Sequence, residues 1–316
     1  MRWFRKSRKN AGWMAISFAP DGILAAHVVR TPTGKPSVES MSFAAAPAAS
    51  RAAALEKFGK ELQASGFDCT TLLGPGEYQV MSVEAPNVPP DELKVAVRWK
   101  LKDLLDYRVD DATVDVLDVP VDKSAAVRTH LMYAIAARNQ VIAQRQTLFA
   151  DAKIPLSVID IPEIGQRNFS VLLESAGRGV AMLSFDEEGG LLTVTYGGEL
   201  YLARRIELPL AQIVQADDEQ RAGYFDRITL ELQRSLDHFD RQYHFVTVAR
   251  IVLAPLAAIG TALQAYLAEH LYLPVETLDL ASVLDVAKVP QLLRIEEQQR
   301  CFLTLGIALR HEETVL

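Results

Sequence analysis

Residues 14–24 run Met14-Ala15-Ile16-Ser17-Phe18, three residues, Gly22-Ile23-Leu24, and residues 182–192 run Met182-Leu183-Ser184-Phe185, three residues, Gly189-Gly190-Leu191-Leu192. Each copy is an apolar run, a turn that ends in glycine, and a second apolar run, which is the pattern of a β-hairpin. Ser17 and Ser184 stand 167 positions apart, about half of the 316 residues. Ten similar residues could arise by chance, but the order that follows each copy repeats as well. A third strand comes next, at Ser37–Phe43 or Leu200–Leu208, and then helices and strands alternate. A duplicated α/β chain with two lobes about a central cleft accounts for both repetitions.

Outward from the first hairpin, three strands at about 13–18, 23–30 and 37–43 are separated by the turn signals Pro20-Asp21-Gly22 and Pro32-Thr33-Gly34. An alanine-rich helix from Arg51 to Ser65, stopped by Gly66, and a strand near Thr70–Leu73 complete the first lobe's opening. Residues 78–137 read as an inserted α/β subdomain: a strand ending near Glu84, a helix from Pro89-Pro90-Asp91-Glu92 to Asp106, and strands at Thr113–Val119 and Val127–Ala137. A helix at 139–152, a strand at 156–159 and a helix at 163–174 lead to the second copy. The expected organisation is a basic arm at 1–12, a first lobe from 13–77 plus 138–177, the insert at 78–137, a second lobe at 178–297 and a C-terminal helix at 298–316 returning to the first lobe.

Composition narrows the function classes. Hydrophobic residues make up 49% and charged residues 23%, enough apolar material for a sizeable core and too much for a disordered tail. Lys and Arg total 33 against 40 Asp and Glu, a net charge of -7 that argues against gripping phosphate backbones, so no nucleic acid partner is expected. Cys69 and Cys301 lack the spacing of a metal site or a disulfide framework and fit a reducing cytoplasm. The weakly charged stretch Ile251–Leu267 is broken by Pro255 and Gly260 and falls short of the roughly 20 apolar residues of a spanning helix. The first residues lack the apolar region of a secretory signal.

Taken in chain order, several blocks resemble the actin-like type IV pilus assembly proteins of the PilM family, and more closely the MshI type that serves the mannose-sensitive haemagglutinin (MSHA) pilus. They are Gly12–Val29; Glu84-Ala85-Pro86 through Glu92–Trp99 to Val114-Asp115; Val180–Leu208; Ile228–Phe239; Arg250–Ala254 leading to Leu273–Glu276; and Cys301–Arg310. The resemblance implies a bilobed actin-like (ASKHA) α/β fold with duplicated lobes, the insert being the extra subdomain of this branch.

Actin-like ATPases hold phosphate with two hairpins, each pairing an aspartate near a magnesium ion with glycines whose backbone N–H groups approach phosphate oxygens. On that pattern, Ser17 stands where the first aspartate belongs, and Asp21 and Gly22 follow Pro20, which donates no N–H. In the second hairpin the position is Ser184, with Asp186, Glu187 and Glu188 ahead of Gly189 and Gly190. Asp186 is a candidate substitute ligand, set against the plainer reading of a solvated acidic turn. The glycine-rich adenosine turn is replaced by Leu253-Ala254-Pro255-Leu256-Ala257-Ala258. Three elements of one pocket are eroded together, and the chain is expected to be a pseudo-ATPase with no cofactor; ATP with magnesium, regulating assembly through its nucleotide state, is the alternative.

The resemblance also implies a partner: the cytoplasmic N-terminal peptide of a bitopic inner-membrane pilus assembly protein. The groove is expected between the first lobe and the insert, with Arg98, Trp99 and Lys102 on its wall helix. Arg98 and Lys102, spaced i and i+4, form a shared basic face, whereas Trp99 is expected in the core. The arm Arg2-Trp3-Phe4-Arg5-Lys6-Ser7-Arg8-Lys9 combines basic charge with aromatics and suits an anionic membrane surface, against the alternative of a frayed soluble tail. The expectation is a cytoplasmic scaffold, peripheral at the inner membrane.

Overall fold

The computed structural model describes residues 9–121 and 130–311, which fall into two compact units, the described residues of 9–72 with 152–311 and those of 73–151. In the larger unit, β1 (Trp13–Ala19), β2 (Gly22–Val29) and β3 (Ser37–Ala45) form an antiparallel meander, α1 (Arg51–Glu61) follows, and β4 (Asp68–Leu72) pairs parallel with β1. The smaller unit contributes β5 (Tyr78–Glu84), α2 (Leu93–Lys100), β6 (Ala112–Asp118), β7 (Leu131–Arg138) and α3 (Asn139–Asp151). The larger unit resumes with β8 (Leu156–Asp160), α4 (Pro162–Leu173), β9 (Gly179–Phe185), β10 (Gly190–Tyr196), β11 (Glu199–Ile206), α5 (Leu210–Gln215) and α6 (Asp218–Gln242). It closes with β12 (Val248–Leu253), α7 (Gly260–His270), β13 (Val275–Thr277), α8 (Leu280–Val283) and α9 (Ile295–Ala308).

The duplication appears as two sheets of one topology. Strand order is β3-β2-β1-β4-β8 in the first and β11-β10-β9-β12-β13 in the second. Register repeats too: Ser17 faces Leu24 across β1 and β2, and Ser184 faces Leu191 across β9 and β10. β9 is buried along its whole length, as a central strand covered on both faces must be, which is why its sequence reads as an unbroken apolar run. The fold is bilobed, actin-like α/β.

Two helices run between the sheets. Helix α4 begins with Pro162, whose missing N–H costs nothing in a first turn, and packs on β9 and β10. Helix α9 packs on β1 and β2 and crosses α4 at two glycines. A Cβ on Gly306 would lie 2.4 Å from the Gly165 carbonyl oxygen, so only glycine lets the backbones meet there. Asn168 Nδ2 donates to Gly306 O at 2.9 Å, and Phe169 stacks on Phe302 with ring centres 4.7 Å apart. The core around this crossing joins residues of both lobes, from Ala15 and Leu24 to Met182 and Val252.

The smaller unit is an antiparallel sheet of order β5-β7-β6 with α2 packed on it, its core built on Val83, Val97, Leu101, Leu105 and Met132. It spans 73–151 rather than 78–137, with α3 included; Arg145 on α3 is held at 2.7 Å by Glu77. Three helix or strand limits also differ from expectation. Helix α1 ends at Glu61 because Gln63 turns left-handed at φ 52°, ahead of the expected stop at Gly66. Helix α2 ends at Lys100 instead of Asp106, where amides begin to reach back three residues, Lys102 to Trp99 O and Leu104 to Leu101 O. Strand β7 begins at Leu131; most of the expected extension, from Val127 to Thr129, lies outside the described residues.

Candidate functional site

The cleft between the two duplicated sheets opens as a cavity of about 990 Å³, bordered by both hairpin turns, α5, the loop after β12 and one face of α9. Each sequence-derived position of the nucleotide pocket is at or beside it, and Ser17, Asp21, Ser184 and Asp186 are engaged by the protein's own polar groups. Ser17 and Thr304 on α9 share a buried hydroxyl hydrogen bond of 2.6 Å. Ser184 Oγ donates to Gln166 Oε1 at 2.6 Å, while Gln166 Nε2 lies 2.7, 2.9 and 3.1 Å from Met182 O, Thr193 Oγ1 and Leu191 O. The two serines therefore tie the sheets to α9 and α4, a role a charged aspartate could fill only against a large desolvation cost.

The turns tell the same story. Asp186 Oδ1 accepts from the backbone N–H groups of Glu188 and Gly189 at 2.9 and 3.0 Å, and Oδ2 accepts from Arg205 at 2.7 Å. The turn is thus capped and ion-paired through Asp186, whose carboxylate engages the N–H groups of Glu188 and Gly189, while Glu187 and Glu188 are exposed. Gly189 has φ +152°, and a Cβ there would meet Ile206 O at 2.1 Å, so backbone crowding requires it. Gly190 packs against Phe185 and Ile206. At the first turn, a Cβ on Gly22 would fall 2.3 Å from Ala44 O. Asp21 pairs with Arg300 of α9 at 2.6 Å, and Arg51 donates to Ala19 O at 2.7 Å. Pro255 is buried in a loop that α9 holds through Gln299 Oε1, which accepts from the Ala257 N–H at 2.7 Å.

Apolar side chains of Phe185, Leu210, Val214, Pro255, Phe302 and Leu303 make up most of the cavity wall. The polar partners Gln166, Thr304, Arg205 and Arg300 escaped sequence reading. Thr304 is 287 residues from Ser17, and nothing local marks it. The usable signal was chemical: a serine buried on a central strand must find a hydrogen-bond partner inside the protein.

Outside the cleft, no group of three or more His, Cys, Asp or Glu among the described residues is placed to hold a metal. Burial pushes the Cys69 and Cys301 thiols up to about 12, out of nucleophilic range. Of the aspartates that follow α2, Asp106 pairs with Arg138, Asp110 with Arg98 and Arg108, and Asp115 with Lys94.

On α2, Trp99 overturns its expected place in the core: it is 66% exposed, beside exposed Val95, because Val97 and Leu101 take the inward face. Arg98 is committed within its own unit, donating to Val109 O at 3.0 Å and lying 3.9 Å from Asp110. Lys102 is exposed. Of the basic arm, Lys9 belongs to the fold, since its ammonium pairs with Asp68 and the next amide, Asn10 N–H, donates to Gly66 O at 2.8 Å. Arg2, Trp3, Phe4, Arg5, Lys6 and Arg8 lie outside the described residues. Among the described residues no helix is long and apolar enough to cross a membrane.

No family model matches the chain, and no curated protein does. Among solved structures, the chain is similar to a chain of the PilM-PilN type IV pilus biogenesis complex, at 19% identity and a TM-score of 0.72, covering 96% of this chain and 98% of that one. Weaker likenesses include a protein of unknown function with an actin-like ATPase fold from Bacteroides thetaiotaomicron, 11% identical, TM-score 0.49, covering 92% and 98%. Another is the cytoplasmic domain of EpsL, an inner membrane component of the type II secretion system of Vibrio cholerae, 14% identical, TM-score 0.42, covering 66% and 76%.

Proposed function

We propose that this protein is a non-catalytic scaffold of a type IV pilus assembly complex, of the MSHA type, which binds the cytoplasmic N-terminal peptide of a bitopic inner-membrane assembly protein. The observation that carries the reading is the near full-length likeness to a chain of the PilM-PilN complex in a fold whose phosphate hairpins are filled by the protein's own groups. Support for the scaffold role comes from Asp186, the candidate magnesium ligand, which is bound to Arg205 and to its own turn rather than free to bridge a magnesium ion to a triphosphate. Calorimetric titration with magnesium-ATP should show no saturable heat at millimolar nucleotide, and a phosphate-release assay no turnover. Turnover that disappears in Asp186→Ala would overturn the reading; tight binding without turnover would favour the regulatory alternative.

Exposed Trp99 and Lys102 support a partner-peptide surface on α2, with Arg98 shaping it. Arg98→Glu with Lys102→Glu should abolish binding of the partner's peptide while the circular dichroism spectrum is unchanged; unchanged affinity would put the groove elsewhere. For the cytoplasmic, membrane-peripheral location, the basic arm is the proposed contact, at about 1 kcal/mol per basic residue near an anionic surface. Deleting residues 1–8 should leave thermal stability unaltered and lower co-sedimentation with anionic liposomes, most at low salt. Equal sedimentation of the two proteins would remove the arm from the account.

A further inference from the structure

The cleft has lost the chemistry of an anion site without collapsing. At about 990 Å³ it is at the upper end of cavities that enclose a small molecule or a short peptide segment. Val214 on α5 is 39% exposed at its edge, and Phe185, Phe302, Leu210 and Leu303 supply apolar area behind it. Its charged lining is Asp21, Asp186, Glu187, Glu296 and Arg300. Asp21 is neutralised by Arg300 and Asp186 by Arg205. Glu187 and Glu296 remain, on two different elements of the lining, one in the second hairpin turn and one in the first turn of α9; both are exposed, and neither enters an ion pair among the described residues. Two carboxylates without cations over an apolar wall repel a nucleotide and attract a positively charged, apolar chain.

We infer that this cleft is a docking site for a basic, apolar-rich peptide segment, and that its occupant is the cytoplasmic juxtamembrane stretch of the inner-membrane partner. The inference rests on the scaffold reading above for the identity of the partner. Charge complementarity selects that occupant, because cytoplasmic segments next to a spanning helix are enriched in Lys and Arg and merge into apolar sequence. The contact would be a second one, separate from the surface on α2, and two linked contacts on one partner would raise the apparent affinity well beyond either alone. Within the cleft, Glu187 and Glu296 would each take a lysine or arginine, and the side chains between them would lie on Phe185, Phe302 and Val214.

The test uses the full chain and a fluorescent nine-residue probe that alternates leucine and phenylalanine with lysine and arginine, together with a counterpart carrying glutamate at the basic positions. Fluorescence anisotropy should show the basic probe binding at least tenfold more tightly than the acidic one, with affinity falling as salt is raised. Glu187→Lys with Glu296→Lys should lose at least tenfold for the basic probe, and the milder Glu187→Gln with Glu296→Gln should lose part of that with an unchanged thermal melt. Lys102→Glu should leave probe binding as it was, which separates this site from the α2 surface: a change in probe binding there would overturn the inference, whereas unchanged binding of the partner's peptide by the α2 variants would break only the scaffold reading's groove. Equal binding of the two probes, or indifference to reversal of Glu187 and Glu296, would overturn the proposal. A chain lacking residues 1–8 that binds the probe tenfold more tightly would also overturn it, since the chain's own arm would then be the occupant.

Discussion

In the first hairpin the turn is held from outside: Arg51 of α1 donates to Ala19 O, and Arg300 of α9 reaches Asp21 while its guanidinium lies 3.7 Å from the Phe43 ring centre. In the second, Asp186 folds back onto its own turn, and Arg205 from the adjacent strand β11 closes it. Strand register and the serine at the same step are shared, and the turns are where the two copies part first. Two copies of one hairpin are stabilised by unrelated means. The serines differ as well: Ser17 has one hydroxyl partner, whereas Ser184 is bound to an amide that also links β9 and β10.

The sharpest way to break this pairing of lobes is at the helix crossing on which both depend. Gly306→Ala places a methyl group against the Gly165 carbonyl, and despite the gain in helix propensity should destabilise the protein by about 3–5 kcal/mol. The measurement is the urea midpoint with an unchanged slope; a shift below about 1 kcal/mol would mean that the helices separate freely there. Next comes Gln166→Leu, expected to cost about 2–4 kcal/mol because it strands a buried hydroxyl and removes partners from two strands. Thr304→Val removes a single hydroxyl pair and should cost about 1–2 kcal/mol. If the Thr304 change proved the larger, the second lobe would not be the more strongly tied. Smallest are the turn ion pairs. A double-mutant cycle on Asp21 and Arg300, an exposed carboxylate with a half-buried guanidinium, should give less than about 1 kcal/mol and vanish in high salt. The cycle on Asp186 and Arg205 should exceed it, because Arg205 also lies 3.7 Å from buried Glu163.

The repeat at Ser17 and Ser184 carried the fold because hairpin register follows apolar alternation and turn glycines, both local. Helix limits in the smaller unit were less legible: residues 101–106 keep helical composition, but the chain tightens once Leu101 and Leu105 have reached the core. Trp99 was misplaced for a related reason, since composition cannot say which of two apolar stripes on a short helix faces inward when Val95 and Val97 both qualify. At the cleft, the positions that border the cavity, Asp21, Ser184, Asp186 and Pro255 among them, could be read from the hairpin and turn pattern. The groups that engage the hairpins could not, because Gln166, Arg205, Arg300 and Thr304 come from elements that meet only in the folded chain.

The two buried thiols have a practical consequence. With both pushed up to about 12, roughly one part in ten thousand of each would be thiolate at pH 8, against about a quarter for an ordinary cysteine. Thiol reagents should pass over the native protein, so a single engineered cysteine, at Val214 for instance, can be labelled without removing Cys69 or Cys301. The same silence turns the native pair into a clock: in brief pulses of reagent, modification of Cys69 on β4 and Cys301 on α9 would report how often the core of the duplicated lobes opens, with no dye, tag or partner required.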